Sequence, residues 1–362
     1  MLDKTRAKAA PAANAGRTNG GEAAAERASL TYVSDTEPGI RRKGSPKRFY
    51  YVDARGKHLG EGRDLKRIRA LAIPPAWSDV WISPSANGHI QATGRDLRGR
   101  KQYRYHADWA AERDGAKFSS LVAFAEALPA LRERIDADLR RHGLPLERVV
   151  ASVVWLLENS MIRVGNAAYA RDNKSFGLTT LRDRHVDITG SSLRFSFKGK
   201  SGQEWKLKLT DRRIAGVVRG AQDLPGQKLF QYLDEDGQRR PVRSDDVNRY
   251  IREAAGEAFS SKHFRTWGGT INAAKLFAQT ELPESEAQRK RVVNAVIDKV
   301  AERLGNTRTV CRQCYIHPAV IESWLEGRLL DEMTAANKRK RAIAGLDEEE
   351  TLVLNWLKAR QG

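Results

Sequence analysis

The spacing of apolar residues changes along this chain and divides it into three stretches. Through position 29, Ala and Gly are mixed with charged residues without any period, which predicts a disordered tail over 1–29. From Leu30 the apolar and aromatic residues gather in short β-like runs, Arg48–Val52, His89–Ala92 and Gln102–Tyr105, separated by Gly, Pro and Asn and broken at Pro74–Pro75. These runs predict a small β-rich domain over 30–108 with one or two helices. Farther on, Phe118–Arg141 and Leu146–Asn159 repeat apolar residues every three or four positions, the spacing of one helix face. The remainder, 109–362, is therefore expected to be mainly helical, with the domain boundary around Ala107–Gly115, and the fold class is α+β.

Inside the helical part the period drops to two. Leu193, Phe195 and Phe197 alternate with polar residues, as do Trp205, Leu207 and Leu209, and Gly199-Lys200-Ser201-Gly202 lies between the two runs. This is a hairpin that projects Lys200 from its tip. Ser244 is expected to cap a helix carrying Val247, Tyr250, Ile251 and Ala254, and Ser285 one carrying Val292, Val293, Val296, Val300 and Leu304. Gly305 stops the second of these, so Asn306 sits at a helix exit with its side chain available to a cleft. A last helix over Asp347–Arg360 has acids in its first turn and bases in its last, as the helix dipole favours. No internal repeat is evident.

Composition narrows the function. At 362 residues and 40% apolar content the chain can bury a core in each of two domains. Lysine and arginine outnumber acids 64 to 45, a formal charge of +19, so the expected partner is a polyanion, and nucleic acid ahead of an anionic membrane. No apolar run approaches the ~18–20 residues needed to cross a bilayer. A cytoplasmic protein associated with the nucleoid is expected, and Asp3, Glu22 and Glu26 argue against a transit peptide. The only cysteines, Cys311 and Cys314, exclude a disulfide framework. Their C-x2-C spacing has only His317 nearby, short of the four ligands a closed zinc site needs, so no metal site is expected. The absence of a G-x-x-x-x-G-K-[ST] loop gives no sign of ATP chemistry.

Five segments carry the candidate chemistry: Met161-Ile162-Arg163-Val164-Gly165-Asn166, Phe197-Lys198-Gly199-Lys200, Lys262-His263-Phe264-Arg265-Thr266-Trp267, Gly305-Asn306-Thr307, and Tyr315 nine residues after Asn306. In order, residue type and final spacing they resemble the type IB DNA topoisomerases of the compact bacterial and poxvirus kind. The resemblance implies that Tyr315 is the nucleophile, that Lys200 is the general acid, and that Arg163, Arg265 and Asn306 hold the scissile phosphate. It further implies DNA contacts from Tyr169 and Lys262. Upstream, Pro74-Pro75-Ala76-Trp77 and Gln102-Tyr103-Arg104-Tyr105 look like the family's amino-terminal domain, whose Gln and Tyr residues touch DNA, which singles out Gln102, Tyr103 and Tyr105. It implies a monomer that closes its two domains as a clamp on double-stranded DNA, without metal or other cofactor. Asn306 stands where poxvirus and eukaryotic members carry histidine.

The residue types suit that chemistry independently. Attack of a phenol on a phosphodiester yields a phosphotyrosine through a transition state whose charge gathers on the non-bridging oxygens. Guanidiniums stay charged at any biological pH and present a planar fork of donors, while an asparagine amide adds a neutral donor. The expelled 5′ oxygen needs a proton, which a lysine ammonium can supply. A tyrosine recombinase shares this chemistry, but it typically carries H-x-x-R where this chain has Lys262-His263-Phe264-Arg265, and its amino-terminal domain is helical. Asp234-Glu235-Asp236-Gly237 resembles a metal-binding D-x-D pair but is expected to be a hairpin turn. Lys338-Arg339-Lys340-Arg341 is expected to be a solvated helix face that adds DNA affinity.

Overall fold

The structure, a computed structural model, describes residues 18–361 apart from Lys47, Arg98 and 339–341. The first 17 positions of the expected tail and most of the Lys338–Arg341 cluster therefore lie outside the described residues. The chain forms two compact units, Met1–Lys117 and Phe118–Gly362, dividing nine positions beyond the expected 108/109.

The first unit contains α1 (Thr18–Arg27), β1 (Ile40–Ser45), β2 (Arg48–Val52), α2 (Arg63–Ala70), β3 (Ser78–Ile82), β4 (Ile90–Arg95) and β5 (Lys101–Tyr105). Its strands pair antiparallel in the order β2-β1-β3-β4-β5, which leaves β5 on an edge. Helix α2 buries Leu65 and Ile68, and Ile68 packs with Ile40, Val80, Ile82 and Ala92 of the sheet. The expectation of disorder through residue 29 is corrected by α1. Its Ala25 is buried with Leu30 and Trp109, a partner more than eighty positions away that no local pattern discloses.

Helix α3 (Ala107–Leu139) begins in the first unit and continues into the second. There follow α4 (Leu146–Ser160), α5 (Ala167–Asn173), β6 (Val186–Thr189), β7 (Ser192–Lys198), β8 (Glu204–Thr210), α6 (Arg212–Gln222), β9 (Gln231–Leu233) and β10 (Arg239–Pro241). The chain closes with α7 (Ser244–Ala255), α8 (Ser261–Ala278), α9 (Glu286–Leu304), α10 (Arg308–Cys314), α11 (Pro318–Leu325), α12 (Leu329–Asn337) and α13 (Glu348–Ala359). Strands β6, β7 and β8 form an antiparallel sheet, and β9 pairs with β10. The fold is thus α+β, with a β-rich unit followed by a mainly helical one.

Two helices organise the second unit. Helix α4 is buried on nearly all sides, from Val149 to Leu157, because α6, α7 and α8 surround it. Helix α8 packs against α4, α9, α11 and α13, so a side chain on its inner face meets the ends of several elements. Between them Arg132 is shared by two carboxylates, Glu158 and Glu350, each at 2.7 Å, and Glu350 also accepts from the Trp267 indole at 3.1 Å. Helix α7 starts at Ser244 itself, and the N-cap is Arg243, one position before the expected one, because the Asp246 carboxylate reaches back to its amide at 2.9 Å. Ser285 and Gly305 bound α9 as expected, and Gly305 takes a left-handed φ of 55°.

Candidate active site

A different local device delivers each of the five side chains, all of which belong to the second unit. Helix α4 ends where Met161 turns left-handed, and the chain then runs past Arg163 to Asn166, whose side chain caps α5 by accepting the Tyr169 amide at 2.9 Å. The Leu178 amide donates to the Arg163 carbonyl at 2.9 Å and the Phe176 amide to the Lys198 carbonyl at 2.8 Å. That short segment therefore joins the Arg163 backbone to the root of the lysine hairpin. In the hairpin Lys198 pairs with Glu204 and the Gly199 amide donates to the Gln203 carbonyl at 2.7 Å, which closes a tight tip. Lys200 is exposed there; its carbonyl accepts the Gln203 amide at 3.4 Å, while its side chain makes no hydrogen bond or ion pair among the described residues.

Arg265 points inward from α8 and is only 4% exposed. Its two terminal nitrogens donate to the carbonyls of Met161 and Leu304, the latter at 2.7 Å, so it bridges the ends of α4 and α9. Just beyond the end of α9, the Asn306 side-chain oxygen accepts from Arg163 Nη2 at 2.5 Å, and Arg163 Nη1 lies 3.5 Å from the Gly305 carbonyl. Tyr315 caps the C-terminus of α10, its amide bonded to the Cys311 carbonyl at 3.0 Å. Its ring lies beneath the Arg265 guanidinium, 5.0 Å from the ring centre. The Tyr315 backbone can come this close because α8 carries Gly269, where a Cβ would collide with the Tyr315 carbonyl.

The electrostatics follow from this packing. Arg163 and Arg265 bond to carbonyls and an amide, and Arg265 also interacts with the Tyr315 phenol, but neither has a carboxylate partner among the described residues. Arg132 in the same unit has two. Burial, then the charge of Arg163, pushes the Arg265 guanidinium down to about 10. Burial also opposes ionisation of the Tyr315 phenol, but Arg265, followed by Arg163, outweighs it and holds the phenol below its ordinary value. The Arg265 Nε and the Asn306 Nδ2 are buried with no hydrogen-bond partner among the described residues. Two cations without carboxylates, and unused donors on Arg265 and Asn306, offer the donors and charge that a tetrahedral anion needs.

Other expected residues are placed as follows. Tyr169 is half-buried on α5, and Lys262 is exposed in the first turn of α8. In the other unit Gln102 donates to Asp96 at 3.0 Å, and the Tyr103 and Tyr105 rings stack at 5.7 Å on edge strand β5, 41% and 43% exposed. Direct contacts thus join Arg163 to Asn306 and Arg265 to Tyr315, and the charge of Arg163 acts on both members of the second pair. Asp234-Glu235-Asp236-Gly237 is a turn between β9 and β10, its Asp234 carboxylate held by the Gln238 amide at 2.6 Å and by Arg240 at 2.9 Å. Cys311 is buried, which pushes its thiol up to about 12.

Two features had no clear sequence signal. One is a cleft of about 1490 Å³ beside α5 and the hairpin, where Lys174, Arg184, Lys198, Lys206 and Lys228 face Glu204 and Asp245. None of those five cations has an ion pair among the described residues. The other is Trp205, buried between the hairpin and Gly305; only the glycines at 199 and 305 hinted at a close approach.

Residues 101–342 match the family described as "Eukaryotic DNA topoisomerase I, catalytic core", and residues 48–96 match "Bacterial DNA topoisomerase IB, N-terminal domain". The chain is 32% identical over 291 residues to DNA topoisomerase 1B of Acanthamoeba polyphaga mimivirus, covering 78% of this chain and 87% of that protein. It is 21% identical over 279 residues to DNA topoisomerase 1B of vaccinia virus (strain Copenhagen), covering 73% and 83%. It is also 24% identical over 266 residues to DNA topoisomerase 1 of Mycosarcoma maydis, covering 63% of this chain but 26% of that longer protein. These relatives favour the topoisomerase reading over that of a recombinase. With a catalytic-core match spanning most of the chain and a viral relative aligned along nearly its whole length, this protein belongs to the type IB DNA topoisomerases.

Proposed function

We propose that the protein relaxes supercoiled DNA by transient cleavage of one strand, with Tyr315 as the nucleophile. The Tyr315 phenol, whose ionisation Arg265 and Arg163 favour, releases its proton to water and its oxygen bonds to a phosphorus of the backbone; the bond to the 5′ oxygen breaks, and the strand's 3′ end is left on the tyrosine. The Lys200 ammonium gives its proton to the departing 5′ oxygen. Arg163, Arg265 and the free Asn306 amide hydrogen-bond the non-bridging oxygens, where charge grows in the transition state. After the duplex rotates, the 5′ hydroxyl attacks the phosphotyrosine and the steps reverse. The backbone bond energy is held in the enzyme–DNA linkage throughout, so the cycle needs no nucleotide hydrolysis.

The observation that carries this reading is the pair of arginines, without carboxylate partners among the described residues, beside a phenol whose ionisation they favour. Their charges take the part that metal ions would play against a developing phosphorane. The cationic cleft beside α5 supports the further proposal that the second unit tracks DNA phosphates, with Tyr169 and Lys262 among its contacts. Gln102, Tyr103 and Tyr105 would contact the same duplex from the first unit, and a single chain would close on it as a clamp. In a bacterial cell the enzyme would work in the cytoplasm on the nucleoid.

The test is Tyr315→Phe, which keeps the ring under Arg265 and removes only the nucleophilic oxygen. This variant is expected to bind duplex DNA and to form no covalent adduct on a denaturing gel. Adduct formation at the wild-type level would overturn the assignment.

A further inference from the structure

Lys200 stands on a tip that its own side chain does not tie to any described residue by a hydrogen bond or ion pair. Ser201 and Gly202 behind it both take positive φ, 63° and 79°, so the tip is a sharp turn rather than a packed element. Against the tip lies the indole of Trp205. A Cβ on Gly199, the residue before Lys200, would lie 2.6 Å from Trp205 Nε1. One on Gly305, the residue before Asn306, would lie 2.8 Å from Trp205 Cζ2. The ring is therefore held between two backbones, with room only because both residues are glycine. Its plane also stacks parallel to Phe197 at 6.1 Å, which fixes its tilt, and it is only 8% exposed.

We propose that Trp205 is a positioning residue that sets the proton donor Lys200 in register with the phosphate-binding pair Arg163 and Asn306. One face of the contact belongs to the hairpin and the other to the exit of α9, so the indole is a spacer between the element carrying the acid and the element carrying the anion cradle. The Phe176–Leu178 segment tethers the root of the hairpin to Arg163 by backbone hydrogen bonds, and Trp205 supplies the second tether nearer the tip. Two points of attachment fix a direction, whereas one leaves the tip free to pivot. Trp205 itself touches no reacting atom, and its effect runs entirely through where Lys200 points.

This inference rests on Lys200 being the acid, and a substrate with sulfur in place of the bridging 5′ oxygen tests both claims separately. A thiolate, whose conjugate acid titrates near ~8.5 like cysteine, departs without help, whereas an alkoxide needs the proton. Trp205→Ala is expected to slow single-turnover cleavage of an ordinary strand on the order of 10²-fold, the scale for a misplacement of about 1 Å. On the sulfur-bridged strand it should recover to within about tenfold of the unmodified enzyme. Trp205→Phe keeps a flat ring in the gap and should retain most activity on both strands.

Gly199→Ala pushes on the same contact from the hairpin side without emptying the core, and should show the same selective loss and recovery even if Trp205→Ala folds poorly. Lys200→Ala is the reference. If it recovers on sulfur while Trp205→Ala and Gly199→Ala do not, the positioning role is wrong and the acid role stands. If Lys200→Ala itself fails to recover, both fall together.

Discussion

Asn306 offers a sharp test of the anion cradle, because its two side-chain ends do different things. The oxygen accepts from Arg163 at 2.5 Å, while the amide nitrogen is buried with no hydrogen-bond partner among the described residues. A desolvated donor left unused in the free protein is already oriented, so its hydrogen bond to a phosphorane oxygen is gained without reorganisation. Removing one such donor costs about 10²–10³ in the chemical step, or roughly 3–4 kcal/mol. Asn306→Ala should therefore slow single-turnover cleavage of a suicide duplex by that factor.

Ground-state binding should change little in this variant, since it is spread over many phosphates. Stability should change by less than ~1 kcal/mol, because a half-exposed site lets water replace the lost acceptor for Arg163. Asn306→Asp separates shape from charge: it preserves volume and the contact to Arg163, yet exchanges the donor for a second anion facing the phosphate. It should be at least as slow as the alanine variant. Cleavage by Asn306→Asp within about threefold of wild type would show that Asn306 merely orients Arg163, and would refute the donor role.

Three further outcomes follow from the structure. Deleting 1–17 should leave relaxation intact, whereas deletion through Arg27 uncovers Trp109 and should cost the β-rich unit on the order of 2 kcal/mol; equal urea midpoints for both truncations would contradict this. His317 is pushed down to about 4, first by burial and then by Arg360, and its Nδ1 accepts the Ala319 amide at 3.2 Å, so it must be neutral in the fold. Its folded-state value lies below the unfolded one, so up to about 3 kcal/mol of stability is present in full above pH ~6.5 and is lost as pH falls toward 4. His317→Asn, which keeps a cap acceptor, should flatten the fall in melting temperature across that window. Relaxation should persist in excess EDTA, and complete loss restored by magnesium would return attention to Asp234 and Asp236.

The sequence by itself determined what depends on neighbours a few positions apart. The start and stop of α9 at Ser285 and Gly305, the alternation that makes the β7–β8 hairpin, and the turn at Asp234–Gly237 all follow from local periodicity and turn chemistry. The order of Arg163, Lys200, Arg265, Asn306 and Tyr315 was equally legible, because motifs are read along the chain.

Only the tertiary structure decided which groups meet. Arg163 reaches Asn306 across 143 positions, Arg265 ties the ends of α4 and α9 together, and Trp205 fills the gap between Gly199 and Gly305. Helix α1 likewise forms where composition predicted disorder, because Trp109 buries one of its faces. Such contacts leave no period in the sequence. They are set by the packing of helices α4, α8 and α9, whose mutual placement depends on the whole core, and the positions that permit them are marked only by glycines too small to reveal what lies against them.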